Sequence, residues 1–393
     1  MKEGWTYKKL GEVCEKITDG SHNPPKGVAC SDNKMLSSQN VRNGYLDLSS
    51  IRYLSDEDFQ TENKRTNAKQ GDVLLTIVGT IGRTCVLTGK EGNITFQRSV
   101  AVLKPSEVIN SYYLMYCLWS KTESLNKEAQ GAAQKGIYLK QLSNVVIAYP
   151  SLSEQKNIVD YLDSAFTKID AMKANAEKVL NEAKALFQAS LKEMLEPKEG
   201  WEEKTLKETA KYRRGSFPQP YGNKEWYDGE GSMPFVQVAE LQEDSFNLIS
   251  VSKRRISKLA QPLSVFVPAG TVLVSLQGSI GKVAITNYDS YVDRTVAIFQ
   301  DYKIEIDKTF FAYQLKSRFE IERLKARGTT IKTITKEEFA NFSINCPPLS
   351  VQQSIVDTLD SLKSKVDKLQ ENYDKISQEC DALKQAILRQ VFE

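Results

Sequence analysis

The chain is poor in the residues on which most catalytic and metal chemistry depends. It has one histidine, His22, so a histidine-ligated metal site or a histidine-activated nucleophile must use that residue or be absent. Six cysteines (Cys14, Cys30, Cys85, Cys117, Cys346, Cys380) include no C-x-x-C pair, which argues against a zinc ribbon and against a secreted disulfide framework. Reduced, mostly buried thiols are expected. No apolar run approaches the roughly 20 residues of a membrane span. The start MKEGWTYKKLGEV lacks the apolar stretch of a signal peptide, so a cytoplasmic protein with no membrane partner is expected. Gly79-x-x-Gly82 and Gly278-x-x-Gly281 lack the remainder of a phosphate loop and read as tight hairpin turns. Asn23-Pro24-Pro25 is followed by Lys26 instead of an aromatic, so it reads as a turn and not as an amino-methyltransferase motif. No catalytic residues, metal or cofactor are expected in this chain.

What is present is a duplication. The 393 residues, 40% hydrophobic and 26% charged, suit two globular domains. KEGW at Lys2–Trp5 returns at Lys198–Trp201, and GDVLLTIVGTIGR (Gly71–Arg83) returns as GTVLVSLQGSIGK (Gly270–Lys282). QRSVAVL (Gln97–Leu103) returns as DRTVAIF (Asp293–Phe299), and LSEQKNIVDYLD (Leu152–Asp163) as LSVQQSIVDTLD (Leu349–Asp360). The offset stays between 196 and 199, far above the 20–50 residues of solenoid repeats, so these are two copies of one module. The net charge of +3 divides accordingly: +4 over residues 1–150, −2 over 151–200, +3 over 201–350 and −2 over 351–393.

Each copy opens with about 150 residues of short apolar runs broken by Gly and Asn, read as strands at Val73–Val78, Ser99–Leu103 and Asn144–Tyr149. One helical stretch interrupts them, Ile109–Lys127 in the first copy and Thr309–Ala326 in the second. Each copy closes with a long helix after Pro150 or Pro348, with Ser153 and Ser350 at N-cap positions and Gln353 completing a capping box. Strict 3-4 spacing draws an apolar seam through Leu162, Ile169, Met172, Val179 and Leu186 of the first helix. The second helix carries Leu359, Leu362, Val366, Leu369, Ile376, Leu383 and Ile387. The first seam is rich in small residues (Ala165, Ala176, Ala183) where the second has large ones (Leu362, Tyr373, Cys380), and such complementary sizes favour pairing the two helices.

Connectivity sets the direction. The first helix carries the chain away from module one and delivers it to module two, so the second must run back antiparallel to bury the seam. The expected fold is α+β: two tandem mixed α/β domains (1–150 and 198–348) alternating with two long helices (151–197 and 349–393). The helices form one intramolecular antiparallel coiled coil, with pseudo-two-fold symmetry and a spacer on the order of 50 Å. Two related, mildly basic modules at fixed separation suit two unlike half-sites on one DNA duplex.

The GW-x-x-K/L start, ITDGSH at Ile17–His22, the VGTIGR and QGSIGK turns and P-L-S-x-Q-x-x-I-V-x-x-L-D before each coil resemble the specificity subunit of type I restriction–modification enzymes. That resemblance covers the chain and implies a non-catalytic DNA reader with two target-recognition domains. It implies as partners double-stranded DNA, two methyltransferase subunits that use S-adenosylmethionine, and two restriction subunits that use ATP and Mg. A stand-alone bipartite DNA-binding regulator with the same layout is the alternative. Candidate DNA contacts are the basic clusters: Lys64 and Arg65, Arg83, Lys135, Arg213 and Arg214, Lys253 to Arg255 (with Arg254 between), Lys282 and Arg327. Arg98 and Arg294 align inside apolar strands, where a buried ion pair competes with DNA contact, and His22 reads as a turn-stabilising side chain.

Overall fold

A computed structural model describes residues 2–130, 135–249, 252–325 and 334–393. The chain forms two compact units, Met1–Glu177 with Tyr373–Glu393, and Lys178–Asn372. Neither long helix stands apart as a body of its own: each unit contains the start of one and the end of the other.

The centre of the first unit is a four-stranded antiparallel sheet in the order Cys14–Asp19, Val100–Pro105, Val73–Thr76, Thr84–Val86. The apolar runs are continuous because both faces are covered. Val73, Leu75, Ala101 and Leu103 pack on the helix Ser111–Ser120, while Leu74, Val100 and Val102 pack beneath Leu36, Ile94 and Phe96. A three-stranded sheet supplies that second layer, with Asn33–Leu36 parallel to Asn93–Phe96 and antiparallel to Arg52–Tyr53. Thr6–Lys9 pairs with Val146–Tyr149. The expected helix over 109–127 is two helices, Ser111–Ser120 and Thr122–Glu128, meeting at Lys121.

The second unit repeats this plan in the same strand order: Ala210–Arg214, Val296–Tyr302, Val272–Ser275, Val283–Ile285. Val272, Val274, Ala297 and Phe299 face one core, and Leu273, Val296 and Ile298 the other. Glu202–Thr205 pairs with Ser343–Cys346, and the helix Lys308–Lys325 takes the place of Ser111–Ser120.

The long helices run Leu152–Leu195 and Leu349–Phe392. Their pairing is antiparallel in each unit. In the first, Leu162, Phe166 and Ile169 share a core with Cys380 and Leu388. In the second, Phe187, Leu191 and Leu195 share one with Ile355, Leu359 and Val366, with Ala183 and Leu362 at its edge. The expected seam is corrected along its length. Met172, Val179, Leu186 and Leu383 are exposed, whereas Leu180 and Phe187 are buried. A strict 3.5-residue repeat drifts about 20° per heptad from a straight helix, so three heptads displace the buried line by ~60°, more than half the step between neighbouring residues. On the second helix Lys384, next to Leu383, turns inward, with its Nζ 2.5 Å from Asp170 Oδ1. Leu362, Leu369, Ile376 and Ile387 are half-buried.

The expected caps are corrected too. Ser151, not Ser153, precedes the first helix, accepting from Glu154 N at 3.4 Å. The stronger device is a buried glutamine in each motif. Gln155 Nε2 donates to Pro150 O and Val108 O, both at 3.0 Å, and its Oε1 accepts from Asn110 N at 2.8 Å. Gln352 repeats this, donating to Pro347 O and accepting from Asp307 N, both at 2.9 Å. Gln353 instead reaches Asp357, one turn on. A side chain long enough to tie the preceding loop to the helix start satisfies several orphan backbone groups at once, which a serine cannot do.

Candidate nucleic-acid interface

One loop is built alike in both units. After the first sheet strand, Gly20 and Gly215 pass so close to the neighbouring backbone that a Cβ would lie 2.0 Å from Phe96 O and 2.1 Å from Val292 O. Only glycine fits there. The next residues, Ser21 and Ser216, donate their N–H to those same carbonyls at 2.8 and 3.0 Å. The chemistry around this shared backbone differs between the units.

In the first unit Asp19 precedes the glycine, buried, and holds both His22 (2.8 Å to Nε2) and Arg65, whose Nε also donates to Asp19 O at 2.9 Å. Half of the Arg65 side chain stays exposed. In the second unit Arg214 precedes the glycine. It and Arg213 are exposed on the strand Ala210–Arg214, with no acidic partner among the described residues. Beyond them, Phe217, Tyr221, Tyr227 and Phe235 form an aromatic cluster. Arg294 stacks over Tyr221 at 5.1 Å and Arg254 over Tyr227 at 5.2 Å. The Tyr221 hydroxyl donates to buried Asp293, and burial together with that bond pushes its phenol well above the usual range. Sequence reasoning passed over Tyr221 and Tyr227; the signal was their spacing within YGNKEWY beside a basic cluster.

The remaining candidates separate by what they touch. Arg98 and Arg294 are exposed, so the buried ion pair is excluded: both lie in the turn before a sheet strand, outside the apolar run. Arg255 bonds to Ser232. Lys64, Lys135 and Lys253 are exposed. Lys282 extends its Nζ to Leu241 O at 3.0 Å, which ties it into its own unit. Arg327 lies outside the described residues.

Arg83 occupies a different setting. The turn between Val73–Thr76 and Thr84–Val86 holds it by Arg83 N donating to Thr76 Oγ1 at 2.9 Å, and Gly82 makes the turn possible with φ +95°. With Gln39, Asn40, Arg42, Asp47 and Thr80 it lines a polar cleft of about 320 Å³. Asn40 is committed to Asp47 O, Ser50 O and Ser37 N, and Arg42 to Asp47. The side chains of Gln39 and Arg83 have no partner among the described residues. Gln39 was not among the candidates, because nothing in the sequence marks one exposed glutamine.

The comparisons with known proteins decide the family. The family model described as "Type I restriction modification DNA specificity domain" matches twice, over residues 2–182 and 198–378. The chain belongs to this family. Among relatives, the type I restriction enzyme MjaVIII specificity subunit of Methanocaldococcus jannaschii is 25% identical, over 81% of this chain and 79% of its own length. The type I restriction enzyme EcoBI specificity subunit of Escherichia coli is 29% identical over 38% of this chain and 32% of its own. Among solved structures, one from work on complex assembly and conformational transition of the type I restriction–modification system has a TM-score of 0.77 at 20% identity, covering 100% of this chain and 98% of the other. The HsdS subunit of Thermoanaerobacter tengcongensis has a TM-score of 0.55 at 20% identity, covering 100% and 97%. As a specificity subunit the chain is a non-catalytic component that supplies DNA sequence specificity within a type I complex. The fold matches the α+β arrangement of two tandem modules and long helices. No helix among the described residues is long and apolar enough to cross a membrane.

Proposed function

We propose that each module reads one half of an asymmetric bipartite DNA target, that the long helices set the gap, and that their outer faces dock two methyltransferase subunits. One observation carries this reading: the two units share strand order and the glycine-centred loop but surround that loop with different side chains. Similar scaffolds carrying unlike contact groups suit two unlike half-sites on one duplex. The exposed apolar side chains support the docking role, Met172 in the first unit and Val179 and Leu186 in the second, since their seven-residue spacing sets them along one face of the helix. In the complete cytoplasmic enzyme S-adenosylmethionine belongs to the methyltransferase subunits, and ATP and Mg belong to two restriction subunits. This chain holds no cofactor in that scheme.

The test is methylome sequencing of cells that carry the chain with its co-purifying partners. An asymmetric two-part motif with a constant gap is the expected result. Exchange of residues 201–350 for those of a relative should change one half only. Alteration of both halves, or S-adenosylmethionine bound by the purified chain alone, contradicts the proposal. Tight site-specific binding with no partner at all would favour a stand-alone regulator.

A further inference from the structure

The duplication makes the polar cleft of the first unit comparable, residue by residue, with the second. Asn40 and Glu240 are equivalent: each is buried, accepts from the backbone N–H three residues earlier (Ser37 and Gln237, both at 2.9 Å), and accepts through its own carbonyl from a later N–H. Arg83 and Lys282 are equivalent as well. Each donates its N–H to the hydroxyl at the start of the hairpin, Thr76 or Ser275, at 2.9 Å, and each returns its carbonyl to the same residue. The residue before Asn40 is Gln39, and the residue before Glu240 is Ala239; both are exposed. One scaffold therefore presents an uncommitted glutamine and an uncommitted arginine in one unit. In the other it presents a methyl group and a lysine tied to Leu241 O.

Gln and Arg carry paired hydrogen-bonding groups that match the major-groove edges of adenine and guanine respectively. Here they line one concave surface from two separate loops, beside an Arg42–Asp47 pair that is already satisfied (3.1 Å). A group with no internal partner on a polar concave wall is free to bond outward, whereas the committed neighbours hold the wall in shape. We infer that Gln39 and Arg83 are the base-reading pair of the first module, and that the second module does not read through the equivalent positions, Ala239 and Lys282. The inference rests on the bipartite reading proposed above and names the residues that would carry one half of it.

Selection of bound sequences from a randomised duplex library, using the full chain in its complex, tests both. Gln39→Ala installs the residue that the second unit carries at an exposed position, so folding should be retained and an unchanged melting curve confirms it. Arg83→Lys likewise installs the residue of the second unit, keeping the charge and losing the planar fork. Each variant should lose about tenfold or more of its preference at one position of the same half-site, with the other half unchanged. Lys282→Met should leave both half-sites as they are. Wild-type enrichment of a bipartite target together with unchanged preferences in both first-unit variants would overturn the inference and leave the proposed function standing. A changed half-site in Lys282→Met would overturn its second part. A wild-type complex that enriches no bipartite target would remove the functional reading, and this inference with it.

Discussion

At the scale of single residues, the differences that matter are between groups already committed and groups left free. Arg65 shares Asp19 with His22, while Arg213 and Arg214 have no acid beside them among the described residues. Free guanidinium groups on a strand surface are suited to phosphate, and phosphate contacts give binding its salt dependence. Replacing Arg213 and Arg214 together by alanine should lower affinity across all sequences and reduce the slope of log affinity against log salt by up to ~2. Arg65→Ala should reduce the slope less. Fluorescence titrations at several salt concentrations measure both. The thiols make a second prediction. Burial pushes Cys14 and Cys85 up to about 12 and Cys117 up to about 11, it raises the half-buried Cys346 as well, and Cys380 is buried, whereas Cys30 is exposed. A thiol reagent at pH 8 should modify one cysteine rapidly in the native chain, and Cys30→Ser should abolish that fast phase.

At the scale of elements, the motif that opens each long helix is a clamp. Its glutamine ties the helix start to the preceding loop, and its final aspartate, Asp163 or Asp360, accepts from a tyrosine on the module helix: Tyr116 at 2.5 Å, Tyr313 at 2.7 Å. Gln155→Leu leaves Asn110 N and the Pro150 and Val108 carbonyls without their buried partner. A loss of about 3 kcal/mol is expected in urea unfolding, with a like effect for Gln352→Leu. Burial first, then the bond to aspartate, raises both phenols above their ordinary value. A phenol raised in the folded state ionises more readily in the unfolded chain. Its contribution is therefore complete below about pH 10 and falls away as pH rises through the folded value. The double variant Tyr116→Phe/Tyr313→Phe should be less stable at neutral pH, and should lose less of its remaining stability above pH 10. Thermal melts across that range measure the difference.

At the scale of the whole molecule, the chain is two modules joined by helices that each unit shares. Inserting four residues after Val179 lengthens the first helix by about 6 Å, a stutter that a coiled coil absorbs by local unwinding. If the helices are the ruler, the gap in the target should grow by one or two base pairs, at ~3.4 Å each, with both half-sites unchanged. Methylome sequencing of the variant reads the gap directly. The original gap with full activity would show that something else sets the spacing.

Repetition is legible in a sequence because it needs no third dimension. The KEGW, GTIGR and LSEQ segments and their returns were enough to define two modules, to place a long helix after each, and to require that the helices run antiparallel. Tertiary structure decided what depends on where side chains point. A heptad ruler laid on a helix misses by one residue after about three heptads, so Leu180 and Phe187 are buried where Val179 and Leu186 were expected. In the sequence Arg83 and Lys282 are equal candidates for DNA contact, and nothing marks Gln39. Only folding brings Gln39 and Arg83 from separate loops onto one wall of the first unit, and ties Lys282 to a carbonyl of the second.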